Sequence, residues 1–206
     1  MTRSARWLAA VAVLTATLTL PGTAQTPKSN AATETAIFAA GCFWCVEEAF
    51  DKVAGVVSTT SGYTAGRTRD PSYEDVSSGG TGHTEALQVV YDPGKVSYEA
   101  LLATFWRNVD AVDGGGQFCD RGSQYRSGIY VRTPEQRRLA ETSRTAVAAQ
   151  LGKPIATEIV AASEFYQAEG YHQDYYTKNP VRYKFYKWNC GRAQRLAELW
   201  GTSSGR

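Results

Sequence analysis

Two cysteines sit three positions apart with two large aromatic rings between them, in Gly41-Cys42-Phe43-Trp44-Cys45-Val46-Glu47. A pair at this spacing can form half of a metal clip, a small disulfide, or a nucleophile with its partner thiol. Structural zinc sites usually show a second tight pair. Here Cys119 and Cys190 are isolated, and His83 and His172 stand singly, so no metal is expected. The reactive-thiol reading rests on position. Glu34 to Ala40 reads as a strand, and apolar residues at 43, 46, 49, 50 and 53 have helical spacing. Cys42 therefore falls where a strand turns into a helix. The partial positive charge and free N–H groups of a helix N-terminus favour thiolate, so Cys42 is the expected nucleophile, with a lowered pKa. Phe43 and Trp44 imply that something apolar docks beside the sulfur.

Other elements must hold that junction. Val56 to Tyr63 and Ala86 to Tyr91 read as strands, the latter closed by the turn tripeptide Asp92-Pro93-Gly94. Ser97 caps a helix whose buried face is Leu101, Leu102, Phe105 and Trp106. Asp110 to Ser127 is a long Gly-rich loop, and a loop of that length in one domain is usually functional. Gly128 to Arg132 and Ile155 to Ala161 read as strands around a helix opened by Thr133-Pro134 and closed by Gly152. Phe165 to Trp188 is dense in aromatic and basic residues and reads as an irregular tail laid over the domain, rings down, before a terminal helix at Arg192 to Trp200. The whole implies α+β: a two-layer α/β sandwich with a mixed sheet, a ferredoxin-like core and an irregular aromatic C-terminal tail.

The chain has 206 residues, 43% of them hydrophobic, and a net charge of +2. It can bury one core, and the balance of charge argues against nucleic acid or a membrane surface as partner. The N-terminus is distinct. Arg3 and Arg6 precede an apolar run from Trp7 to Leu20, and Gly22 and Ala24 are small residues at −3 and −1 of a cleavage site. This is the pattern of a secretory signal peptide over residues 1–24, with a polar linker at 25–33 and a single catalytic domain at 34–206, its tail starting at 163. The run is short for a membrane span, so no stable insertion is expected after cleavage. Export, to a periplasm or beyond the cell, implies a compartment where disulfides persist. Four cysteines allow three pairings, which sequence does not choose between.

Further motifs follow in order: Gly62-Tyr63-Thr64, Pro71-Ser72-Tyr73-Glu74-Asp75-Val76, Gly82-His83-Thr84-Glu85-Ala86, Tyr91-Asp92-Pro93, Gly122-Ser123-Gln124-Tyr125-Arg126-Ser127 and Lys178-Asn179-Pro180. Together with the opening stretch they resemble the peptide-methionine sulfoxide reductase A family, from about Ile37 to Pro180. The resemblance implies reduction of the S epimer of methionine sulfoxide, free or in oxidised proteins. It implies no bound cofactor and an external thioredoxin or thioredoxin-like reductant. In that pattern Cys42 attacks sulfur, Phe43 and Trp44 hold the S-methyl group, and Glu85 protonates the oxygen. Tyr73 and Tyr125 hydrogen-bond the oxygen, and Asp120 positions the substrate. Glu85 then needs a raised pKa, from an apolar pocket. A monomer is expected.

The chain departs from the family pattern in its later thiols. Common members carry glycine where Cys45 stands and resolving cysteines in a Gly-rich tail. Here the tail is aromatic, and its cysteine comes late, in Asn189-Cys190-Gly191-Arg192. Cys45 and Cys190 are thus the two candidate resolving residues, and Cys119 is expected as a buried spectator. The rival reading is a thiol-disulfide exchange protein built on Cys42 and Cys45. Thioredoxin-type motifs, however, place a small residue and a proline between their cysteines.

Overall fold

The computed structural model describes residues 32–201; the segment read as a signal peptide lies outside them. Its central strand, β1 (Glu34–Ala40), is buried on both faces from Ala36 onward. β2 (Val56–Thr64) and β3 (Thr84–Tyr91) follow, with α1 (Phe43–Asp51) between β1 and β2 and the short α2 (Tyr73–Ser77) between β2 and β3. α3 (Tyr98–Arg107) leads into a small hairpin, β4 (Gly116–Gln117) and β5 (Asp120–Arg121), and then a 3-10 turn at Ser123–Tyr125. β6 (Ser127–Val131), α4 (Pro134–Leu151), β7 (Glu158–Ala161) and β8 (Phe165–Gln167) complete the sheet region. The sheet order is β7-β6-β1-β3-β2-β8, antiparallel throughout except for the parallel β6–β7 pair. β1 and β2 run parallel with β3 inserted between them, a split β-α-β unit.

Side-chain alternation decides which face each strand gives to the helices. Ala36, Phe38 and Ala40 of β1, Leu87 and Val89 of β3, and Ile129 of β6 enter the main core beneath α1, α3 and α4. Phe38 stacks on Phe50 of α1 at 5.0 Å and on Phe105 of α3 at 5.3 Å. Burying rings of this size contributes about 2–3 kcal/mol each. Glu85 belongs to the same row of β3 as Leu87 and Val89, so the period of two turns a carboxyl toward the helices.

The helix caps agree with the sequence. Ser97 accepts the Ala100 N–H at 3.3 Å and Thr133 the Gln136 N–H at 3.1 Å; Gly152 ends α4 in the left-handed region.

The aromatic stretch differs from the irregular tail expected. It forms α5 (Tyr175–Lys178) and α6 (Pro180–Asn189), followed by the expected terminal helix, α7 (Arg192–Trp200). Pro180 occupies the first position of α6 and Gly191 takes φ +65 between α6 and α7. Nor do all its rings point down. Tyr183 is buried, whereas Phe185 and Trp188 are exposed. With aromatics on both faces of α6, its hydrophobic periodicity is flattened, and the helix is hard to read from pattern alone. Among the described residues no helix is long and apolar enough to cross a membrane.

Candidate active site

Cys42 is the N-cap of α1, at the end of β1. Gly41 makes the turn with φ +77, and a Cβ there would fall 2.5 Å from that of Gln117. Gln117 is itself locked: its Oε1 accepts the Asp110 N–H at 2.8 Å and its Nε2 donates to the Asp110 carbonyl at 2.9 Å. The long loop is therefore pinned directly against the strand–helix junction.

The first backbone N–H of α1 faces a side chain rather than solvent. Phe43 N–H donates to Oε2 of Glu85 at 3.0 Å. Cys42 and Glu85 both line a cavity of about 270 Å³, with Phe43, Trp44, Tyr73, Asp120 and Tyr125. Tyr175, Arg182 and Tyr186 complete its wall. The motif residues, spread over more than eighty positions of chain, thus converge on one chamber. Of the two candidate resolving cysteines, Cys45 lies one turn behind Cys42, buried against Tyr175 and Tyr183. Cys190 lies behind the Asp120 wall of the chamber, clustered with Cys119 and Asp120.

Burial pushes the Glu85 carboxyl up to about 8, opposed by the Phe43 N–H and assisted by Asp120 and Cys45. It is a neutral acid at pH 7, as a proton donor must be. The Cys42 thiol behaves otherwise than a helix N-terminus alone suggests. Complete burial raises its pKa, and its hydrogen bond to Cys45 and the nearby Glu85 raise it further; Tyr186 opposes. Cys45 is lowered to about 6, first because it accepts that hydrogen bond, then through the charges of Arg192 and Lys187. The expected lowering at Cys42 is therefore corrected: burial raises this thiol. Desolvation exceeds the pull of a nine-residue helix.

The apolar wall is braced by residues that the sequence reading passed over. Trp44 stacks face to face on Tyr175 at 3.7 Å and donates its indole N–H to Nδ1 of His172 at 3.1 Å. His172 also packs on Phe43 at 5.0 Å and Tyr73 at 4.4 Å, and burial lowers its pKa, so it stays neutral and accepting. Tyr186 donates its hydroxyl to Oδ2 of Asp120 at 2.5 Å and sets its ring edge-on to Trp44. All three newcomers come from the stretch read as tail. The signal was their placement around Lys178-Asn179-Pro180, a motif already tied to the site. Burial raises the Tyr125 hydroxyl and pushes Tyr73 up to about 12, so both remain donors.

Cys119, expected as a buried spectator, is instead exposed and bonded to Cys190, with Cα atoms 4.8 Å apart. Cys42 and Cys45 are the free thiols among the described residues. The ligand-type atoms of Cys119, Asp120 and Cys190 lie within 4.8 Å of one another, but the two sulfurs are joined to each other.

The family model described as peptide methionine sulfoxide reductase matches residues 34–204. The chain belongs to this family. It is 50% identical over 194 residues to peptide methionine sulfoxide reductase MsrA 2 of Caulobacter vibrioides, covering 94% of this chain and 95% of that one. It is 47% identical over 170 residues to MsrA of Bacillus subtilis, covering 82% and 96%. Among solved structures, reduced Mxr1 of Saccharomyces cerevisiae superposes with TM-score 0.70 at 32% identity, covering 74% of this chain and 88% of that one. Methionine sulfoxide reductase A of Corynebacterium diphtheriae gives 0.67 at 35% identity, covering 78% and 81%. The methionine sulfoxide reductase reaction, thiol-dependent reduction of the S epimer to methionine, is the activity of this chain. The α+β class read from the sequence agrees with these structures.

Proposed function

We propose that Cys42 and Glu85 carry the reduction in the cavity they share, with Cys45 as base and then as resolving thiol. The observation that supports this is the convergence of the Cys42 thiol and the Glu85 carboxyl on one ring-lined chamber, with the Cys45 thiol buried one turn behind. The S-methyl group packs against Phe43 and Trp44. The sulfoxide oxygen takes its proton from Glu85 and hydrogen bonds from Tyr73 and Tyr125; Asp120 and Tyr186 fix the substrate beside the thiol. Cys42 passes its proton to Cys45 as its sulfur attacks that of the sulfoxide. The oxygen then moves from the substrate sulfur to the Cys42 sulfur as the bond between the two sulfurs breaks; methionine leaves, and Cys42 holds the oxygen as a sulfenic acid. Cys45 then attacks the Cys42 sulfur, closing a disulfide and releasing water. The two hydrogens of that water are those first held by Cys42 and Glu85. A thioredoxin-like donor returns two electrons and protons, with no bound cofactor.

Cys45 is preferred to Cys190 because the Cys190 sulfur is already engaged with Cys119. The rival exchange reading has no use for a caged acid at Glu85 or for the ring wall. Substrates are free methionine sulfoxide and oxidised proteins, and the protein acts as an exported monomer, periplasmic or secreted. A disulfide at Cys119–Cys190 suits an oxidising compartment. The test supplies the two sulfoxide epimers separately, without reductant. One equivalent of methionine should form from the S epimer alone, and peptide mapping should then find Cys42 joined to Cys45. Methionine from the R epimer, or a linkage of Cys42 to Cys190, overturns the assignment.

A further inference from the structure

α6 has two faces with different fates. Successive residues of an α-helix are about 100° apart around its axis. Tyr183 and Lys187 point inward and tie the helix to α1: the Tyr183 hydroxyl and Lys187 Nζ both donate to Oε2 of Glu48, at 2.5 and 2.6 Å. Val181, Phe185 and Trp188 fall within about 60° of one another on the opposite side. They are 82%, 66% and 76% exposed. Three large apolar side chains bared on one ten-residue helix is more than scattered surface hydrophobicity. The pocket-lining residues Arg182 and Tyr186 occupy the next strip, about 60–100° further round. The bare ridge is thus the immediate rim of the catalytic cavity.

That cavity, about 270 Å³, holds one side chain and little more. Whatever flanks the oxidised residue in a polypeptide must lie on the rim. Methionine in folded proteins has apolar neighbours, which unfolding bares together with it. The rim also carries charge. Arg182 and Lys184 stand beside the ridge without an ion pair among the described residues, while Lys178 and Lys187 are paired with Asp174 and Glu48. The charge left over is positive.

We propose that the outer face of α6 is a docking surface for unfolded polypeptide: segments whose methionine sulfoxide is flanked by apolar residues and at least one carboxylate. This rests on the reductase reading of the cavity and specifies its preferred macromolecular substrate. The flanking apolar side chains cover Val181, Phe185 and Trp188, and a carboxylate on either side of the ridge pairs with Arg182 or with Lys184, which flank it about 160° apart.

The test uses two substrates, N-acetyl-methionine S-sulfoxide and a fifteen-residue peptide with one S-sulfoxide between leucines and aspartates. The triple variant Val181→Ser/Phe185→Ser/Trp188→Ser should raise KM for the peptide about tenfold and leave kcat, and both constants for the small substrate, unchanged. Lys184→Glu should weaken the aspartate peptide and favour one with lysines in their place. Binding of the peptide to Cys42→Ser protein, read by titration, should weaken in parallel with the triple variant. Unchanged peptide KM and binding in the triple variant overturn the proposal. So does a rise confined to the KM for thioredoxin, which would assign the ridge to the reductant. A wild-type dimer that the triple variant converts to monomer would assign it to a second copy, and binding only to anionic vesicles would assign it to a membrane; either overturns the proposal. If peptide binds wild type and not the triple variant, yet neither sulfoxide is reduced, the docking surface stands and the reductase reading falls.

Discussion

The two cysteine pairs of this protein lie on either side of one hydrogen bond and behave in opposite ways. Cys42 and Cys45 are buried and free, and their thiols are shifted in opposite directions. Cys119 and Cys190, 71 positions apart, are bonded. Between them runs the Tyr186–Asp120 contact: Tyr186 is one turn before Cys190, Asp120 follows Cys119, and both line the cavity at Cys42. The close pair is kept reduced where chemistry is to occur, and the distant pair staples the wall of the same chamber. Burial and neighbours, more than spacing, separate a reactive pair from a structural one.

The sharpest way to break that contrast is to exchange the pairs' roles by mutation. Cys45→Ser should abolish multiple turnover and, by removing the base, slow the single turnover that still yields one equivalent of methionine per enzyme, measured by rapid quench without reductant. Sustained turnover with thioredoxin would hand recycling to the other pair. Next in size is the acid. Glu85→Gln should slow the single-turnover step by roughly two to four orders of magnitude.

The same groups set a pH profile. Glu85 must be protonated, so the rate falls as pH rises through about 8. Cys45 must be ionised, so the rate rises as pH climbs through about 6. A bell between those limbs is expected for the single turnover, and Glu85→Gln should lose its alkaline limb.

Tyr186→Phe, which cuts the bridge between the two regions, should cost about tenfold in kcat/KM, the scale of one hydrogen bond to a charged group. Cys119→Ser should leave turnover within a few-fold and lower stability by roughly 4 kcal/mol, from the loop entropy of a 71-residue separation. Chemical denaturation measures the second and steady-state assay the first. A Cys119→Ser enzyme that is as stable as wild type but inactive would reverse the contrast.

Local signals carried the front of the molecule. The apolar spacing after Gly41 placed Cys42 at a helix start, and Ser97, Thr133 and Gly152 marked helix ends, because caps and period are written in neighbouring residues. The ordered motifs carried Glu85, Tyr73 and Tyr125, and the family resemblance added Asp120. They could not show that these side chains share a chamber, since convergence over such separations depends on sheet register. Nor did sequence reveal α6, whose rings occupy both faces, or His172, Tyr175 and Tyr186 as site residues. Tertiary structure alone decided which cysteines bond. It also decided the direction of the shift at Cys42, where a helix N-terminus predicts a lowered pKa and burial raises it. The physical reason is that composition and period act along the chain, whereas desolvation and pairing act through space, and a buried charge responds to the second more strongly than to the first.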